Sequence, residues 1–143
     1  MKNPAAIIGI AAWLSFMLAG CVGLPNTETG KEIFESKCAT CHGLSGKGDG
    51  PQSLIIPKKP ANLTILAKKN GGVFPTKLVY KIIDGRQEVA AHGPRTMPVW
   101  GMFFQVDVPE VPPEDTGTLN FREAAVHNKI KALIDYLITL QEQ

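Results

Sequence analysis

The 143-residue sequence has little with which to cross-link itself or to coat a charged polymer: three cysteines, three histidines, and fifteen Lys plus Arg against thirteen Asp plus Glu. An odd cysteine count rules out a fully paired disulfide framework, so at least one sulfur needs another use. A net charge of +2 is too weak for a general nucleic-acid binder, which neutralises many phosphates at once. No internal repeat and no convincing alternating strand pattern occur, and there is a single long apolar run. Aromatic residues are only 7% of the chain, yet 44% apolar and 20% charged residues make a folded composition rather than a disordered one. The length allows one domain and hardly a second.

The long apolar run lies at the amino terminus. Lys2 is followed from Ala5 to Leu24 by residues without charge, through Ile7, Ile8, Trp13, Leu14, Phe16, Met17 and Leu18. A basic n-region before an apolar h-region is the pattern of an export signal. It ends in Leu18-Ala19-Gly20-Cys21, which resembles the lipobox of bacterial lipoproteins. The resemblance implies a signal peptide over residues 1–20, cleavage before Cys21, and a lipid on the Cys21 sulfur that anchors the chain to a membrane. The alternative is an uncleaved transmembrane helix, since about twenty apolar residues at 1.5 Å rise each just span a bilayer. Either way Lys2 stays inside and the remainder is exported.

Residues 21–28, with Gly23 and Pro25, read as a tether. Thr29 and Glu32 fit a capping box, and Phe34, Cys38 and Cys41 recur at helical steps, so a helix begins near Thr29 with one face carrying Phe34 and both sulfurs. The stretch 43–62, with Gly43, Gly46, Gly48, Gly50 and three prolines, reads as a long loop. It is a poor phosphate cradle, because no strand precedes it and the Gly-Lys-Ser/Thr ending is missing. Thr76 to Asp84 reads as a short helix between Pro75 and Gly85, and residues 86–97 as a second loop. A turn or two of helix follows Pro98. Residues 106–118, with three prolines, four acids and no base, read as a linker or surface excursion. The last helix, about Phe121 to Leu140, places Val126, Ile130, Leu133, Ile134, Leu137 and Leu140 on one stripe and His127, Asn128, Lys131, Asp135 and Thr139 opposite.

The most informative segment is Cys38-Ala39-Thr40-Cys41-His42. Cys-x-x-Cys-His is the attachment signature of a c-type haem. Two sulfurs one helical turn apart can add to the two vinyl groups of one porphyrin, and the adjoining imidazole is then placed to ligate iron. A thioredoxin-like dithiol wants a βαβ setting that this sequence lacks. A structural zinc site wants about four ligands, and no second cysteine pair is present. A plain disulfide leaves His42 without a purpose.

With Gly30, Phe34, Cys38-x-x-Cys41-His42-Gly43, the Gly46-x-Gly48-Asp49-Gly50 loop, Met97-Pro98-x-Trp100-Gly101 and a closing apolar helix in this order, the chain over residues 29–143 resembles the class I c-type cytochromes. The resemblance implies an all-α fold around one covalently bound haem, with the first and last helices crossing near Gly30, Phe34 and Tyr136. It also implies a sixth iron ligand from a methionine of the second loop. Met97 is the best placed: fifty-five positions beyond His42, it has ample chain to reach round a haem, and Pro98 keeps its backbone out of the helical region. Met102, in an apolar run, reads as core; His92 is the ligand a bis-histidine variant would use but reads as a solvent-facing loop histidine, and His127 reads as surface. Trp100 is either a core aromatic or a partner of the haem, Arg95 is a candidate partner for a propionate, and Phe34, Leu44, Ile82 and Leu137 are expected to cover the porphyrin.

His/Met ligation raises the potential of haem iron and fills both axial positions. The expected function is therefore electron transfer at the periplasmic side of a bacterial membrane, with no catalytic residue and no small-molecule substrate. The alternatives are a haem-bearing relay subunit of a respiratory oxidase or periplasmic dehydrogenase, and a haem sensor or peroxidase-like enzyme, which needs an open sixth position. The charge is unevenly spread. From Lys37 to Met97 there are ten bases against three acids, or +7, and residues 98–143 carry seven acids against three bases, or −4. A basic haem-bearing part is expected to steer the protein to redox partners with an acidic docking surface.

Overall fold

A computed structural model describes residues 28–86, 96–106 and 116–142. Cys21, the apolar run 5–24, most of the tether, His92, Arg95 and positions 107–115 lie outside the described residues. Among those described, all regular structure is helical, as the all-α expectation requires.

The chain enters through α1 (Gly30–Ile33), passes without a break into a π-helical turn (Phe34–Cys38), and continues as α2 (Ala39–His42). The capping box forms as read: the Glu32 amide donates to Thr29 Oγ1 at 3.2 Å, and the Thr29 amide donates to Glu32 Oε2 at 2.7 Å. The π turn widens the helix, with the Ala39 amide reaching back to the Phe34 carbonyl. Both ends of that turn, Phe34 and Cys38, are buried.

A loop containing a 3-10 turn at Pro51–Leu54 leads to a second 3-10 turn, Leu63–Ile65, and then to α3 (Leu66–Lys69). Asn62 caps this stretch by accepting the Thr64 amide at 2.9 Å. Next comes α4 (Thr76–Asp84), stopped by Gly85 at φ +70°, a left-handed C-cap that suits glycine. The remaining helices are α5 (Trp100–Val106) and α6 (Thr116–Thr139). The last helix thus starts at Thr116 rather than near Phe121, so the end of the expected excursion, 116–118, is helical. Among the described residues no helix is long and apolar enough to cross a membrane.

The core is the meeting of the first helical run with α4, α5 and α6. Ile33, Phe34, Cys38 and Ala39 lie against Val79 and Ile83, Phe104, and the stripe Val126, Ile130, Leu133, Ile134 and Leu137. These five positions of α6 follow the 3.6-residue period, and His127, Asn128, Lys131, Asp135 and Thr139 are exposed as expected. The crossing of the first and last helices falls where the resemblance put it. The Gly30 α-carbon rests on the Ala132 carbonyl and the Leu133 amide, and the rings of Phe34 and Tyr136 are 5.4 Å apart at 51°.

Met102 corrects an expectation. It is 59% exposed rather than core, because α5 turns Gly101 and Phe104 inward and leaves Met102, Phe103 and Val106 on its outer side. Beyond α6 the chain is tied back. Gln141 Nε2 donates to the Leu63 carbonyl at 2.7 Å while its Oε1 accepts the Ala67 amide, and the Glu142 amide donates to the Thr64 carbonyl.

Candidate functional site

The site is built on α2 and the glycine loop after it. A helix end leaves its last carbonyls without partners. Here the Gly48 amide donates to the His42 carbonyl at 2.8 Å, the Gly50 amide to Cys41 at 3.1 Å, and the Gly46 amide to Gly43 at 3.0 Å. The Gly46, Gly48 and Gly50 amides are spent on the carbonyls of Gly43, His42 and Cys41, which makes these glycines a poor phosphate cradle. Glycine is needed at two of these positions for a double reason. Gly43 and Gly48 have φ of +75° and +79°, and a Cβ on them would strike the Asp49 carboxylate and the Pro60 carbonyl respectively.

Cys38 and Cys41 are both free thiols, the first buried and the second half-buried. Burial, with the neighbouring Cys41 adding to it, pushes the Cys38 pKa up to about 12. A thiol held that firmly protonated is a poor redox nucleophile, unlike the activated cysteine of a dithiol oxidoreductase. Among the described residues no group of three or more His, Cys, Asp or Glu is placed to hold a metal ion. Cys41 Sγ lies 3.8 Å from Gln52 Oε1, a weak thiol donor on an amide.

His42 Nδ1 is 3.0 Å from the carbonyl oxygen of Ala61. A carbonyl only accepts, so Nδ1 carries the proton and Nε2 keeps its lone pair. Burial lowers the His42 pKa while the Ala61 bond works the other way, and the net shift is downward. A neutral imidazole with one nitrogen tied to a carbonyl is the form in which histidine binds metals. Two thiols and an oriented imidazole within five residues fit a covalently attached haem: the thiols would supply two thioether bonds and Nε2 would supply an iron ligand. Ala61 is the member that residue patterns miss, since a backbone carbonyl has no side-chain signature.

Met97 is half-buried and packs on the core together with Trp100. Trp100 is half-buried, with its ring 5.5 Å from that of Phe103 and 5.9 Å from that of Phe104. Phe34 and Leu137 are buried and Ile82 is half-buried, whereas Leu44 is 71% exposed. His127 is exposed, with its ring 5.5 Å from that of Tyr80.

Residues 25–111 match the family model of Cytochrome C oxidase, cbb3-type, subunit III. The chain belongs to this family. The matched span runs from before α1 to beyond α5, taking in the Cys-x-x-Cys-His helix, the glycine loop and the Met97 motif. No curated protein and no solved structure matches the chain. Membership in the cbb3-type cytochrome family makes this a haem-bearing electron-transfer protein with covalently bound haem c. When bound, the haem supplies one-electron chemistry at iron. The thiol and imidazole chemistry around α2 is where the chain can accept it.

Proposed function

We propose that this chain is a membrane-anchored carrier of single electrons at the periplasmic side of a bacterial membrane. Cys38 and Cys41 hold the haem through thioethers, His42 and Met97 ligate its iron, and Cys21 carries the lipid after residues 1–20 are removed. Residues 21–28 are the tether and 29–143 the cytochrome domain. The observation that carries the reading is the His42 to Ala61 hydrogen bond, which leaves Nε2 free beside two thiols one helical turn apart. Intact mass of the purified mature protein tests three parts together: covalent haem, loss of residues 1–20, and acylation at Cys21. The sulfur-to-iron charge-transfer band of the ferric protein tests the fourth. It is lost in Met97→Ala and kept in Met102→Ala. A five-coordinate, high-spin ferric spectrum of the wild type overturns the assignment and returns the sensor or peroxidase reading.

The family description favours a second reading, in which the same domain relays electrons as a subunit of an oxidase complex. Co-purification of other subunits after mild detergent extraction supports it, and a monodisperse single chain supports the free carrier. In either case the partner is a redox protein, and the basic surface of α3, α4 and the preceding loop favours an acidic docking face on it.

A further inference from the structure

Arg86, just past the end of α4, makes four charge-assisted hydrogen bonds to two carboxylates. Its Nε and Nη2 donate to Asp84 Oδ1 and Oδ2 at 2.6 and 2.9 Å, and its Nη1 and Nη2 donate to Glu123 Oε1 and Oε2 at 2.6 and 2.9 Å. Glu123 Oε1 also accepts from Gln105 Nε2 at 2.7 Å. Asp84 belongs to α4, Gln105 to α5 and Glu123 to α6, so the guanidinium joins α4 to α6 and the Glu123 carboxylate brings in α5. Gly101 belongs to the same arrangement. A Cβ there would run into Asp84 Oδ1 and come within 2.8 Å of Arg86 Nε, so only glycine lets α5 lie against the pair. This assigns a packing reason to the glycine of Met97-Pro98-x-Trp100-Gly101.

The chain order gives the network its meaning. Arg86 precedes Met97, while Gly101 and Gln105 follow it. We propose that the Arg86–Glu123–Gln105 network is a positioning device for Met97: it fastens the chain on both sides of this residue to one carboxylate of α6, and so holds the thioether at the iron. The inference rests on Met97 being the sixth ligand. An iron ligand carried between helices needs its flanks fixed to within a fraction of an ångström, and bonds outside the ligand itself must do this. Single surface ion pairs contribute little, but two bidentate forks on one guanidinium are the exception to that rule.

Imidazole binding to the ferric, haem-loaded full chain reads out the restraint. The imidazole nitrogen replaces the methionine sulfur at iron, so its apparent affinity rises with the fraction of molecules in which the sulfur has left. Glu123→Gln and Arg86→Ala are expected to bind imidazole about tenfold more tightly than wild type. Arg86→Lys, which keeps the charge and loses the fork, falls between. Gln105→Ala moves the same way by less, and keeps the test available should a charge variant fail to fold. Lys131→Ala, which breaks the exposed Lys131–Asp135 pair on α6, binds imidazole as wild type does. Wild-type imidazole affinity in Glu123→Gln and Gln105→Ala, with tighter binding in Met97→Ala, overturns the positioning role and leaves the ligand assignment standing. If Met97→Ala binds imidazole no more tightly than wild type, the ligand assignment fails and the positioning role fails with it.

Discussion

His42 Nδ1 and the carbonyl oxygen of Ala61 are 3.0 Å apart, although nineteen positions separate the two residues. The bond exists because the intervening loop is folded back on α2. Gly48 donates to the His42 carbonyl and its α-carbon rests against the Pro60 carbonyl, one residue before Ala61. Gly48→Ala therefore displaces the backbone that orients the imidazole, besides forcing alanine into a positive φ. Losing the Nδ1 bond makes the imidazole a weaker base and a poorer ligand for ferric iron. The expected outcome is a higher reduction potential and a lower Tm than wild type, read by redox titration and thermal unfolding of the haem-loaded protein. An unchanged potential with a lowered Tm would mean that the bond only supports the fold.

The crossing of α1 and α6 has no room for a methyl group. A Cβ on Gly30 would collide with the Ala132 carbonyl, which belongs to helix backbone and cannot swing aside. Gly30→Ala gains helix propensity of about 1 kcal/mol at most, but overpacking of this kind costs about 3 kcal/mol. The variant is expected to be less stable by roughly 2 kcal/mol, the difference between those opposing effects, in denaturant unfolding. Equal or greater stability would show that the two helices separate freely.

Some of this fold is legible from local chemistry alone. The Thr29 and Glu32 capping box, the stop of α4 at Gly85, and the polar and apolar sides of α6 are all settled by residues within one or two turns of each other. The rest depends on distant parts of the chain. Met102 looks like core in a run of apolar residues, and its exposure follows only from which side of α5 meets α4 and α6. The start of α6 at Thr116 runs through Gly117 and Thr118, poor helix formers by themselves. The turn and helix at 63–69 have a capping asparagine but too few residues for a period, and Gln141 holds them from the far end of the chain. The proposed haem site and its proposed supports divide the same way. Cys38, Cys41 and His42 lie within five residues of sequence, while Ala61, Arg86 and Glu123 become visible only when the chain is folded.

Acid should weaken the amino-terminal cap in a defined direction. The Glu32 carboxyl is held below its ordinary value of 4.5, first by the Thr29 amide and then by the Thr29 hydroxyl. Between the ordinary and the lowered value the unfolded chain binds more protons than the folded one, so stability is lost as pH falls through that window. Glu32→Gln cannot titrate and keeps only a neutral hydrogen bond. It is expected to be less stable than wild type near neutral pH, with the gap closing as pH drops below the carboxylate range. Urea unfolding of both proteins across that range checks this, and a gap independent of pH would assign the effect to shape rather than charge.

Salt is expected to slow the protein's encounter with its redox partner. Lys58, Lys59, Lys68, Lys69, Lys77 and Lys81 are exposed on one continuous stretch of chain, whose only described acids from Leu44 onward are Asp49 and Asp84. Such a surface raises the rate of encounter with an acidic face, and salt removes the advantage as the screening length falls to about 8 Å at physiological ionic strength. The second-order rate of electron transfer to an acidic redox protein should fall as salt is added. Replacing Lys68 and Lys69 together by glutamate should lower the rate at low salt and flatten its salt dependence, while the rates of the two proteins converge at high salt. The reduction potential serves as the control, since a slower rate with an unchanged potential locates the effect in encounter rather than in driving force. A wild-type rate that does not change with salt would mean that these lysines only solvate the surface, and that the partner is recognised by apolar contact.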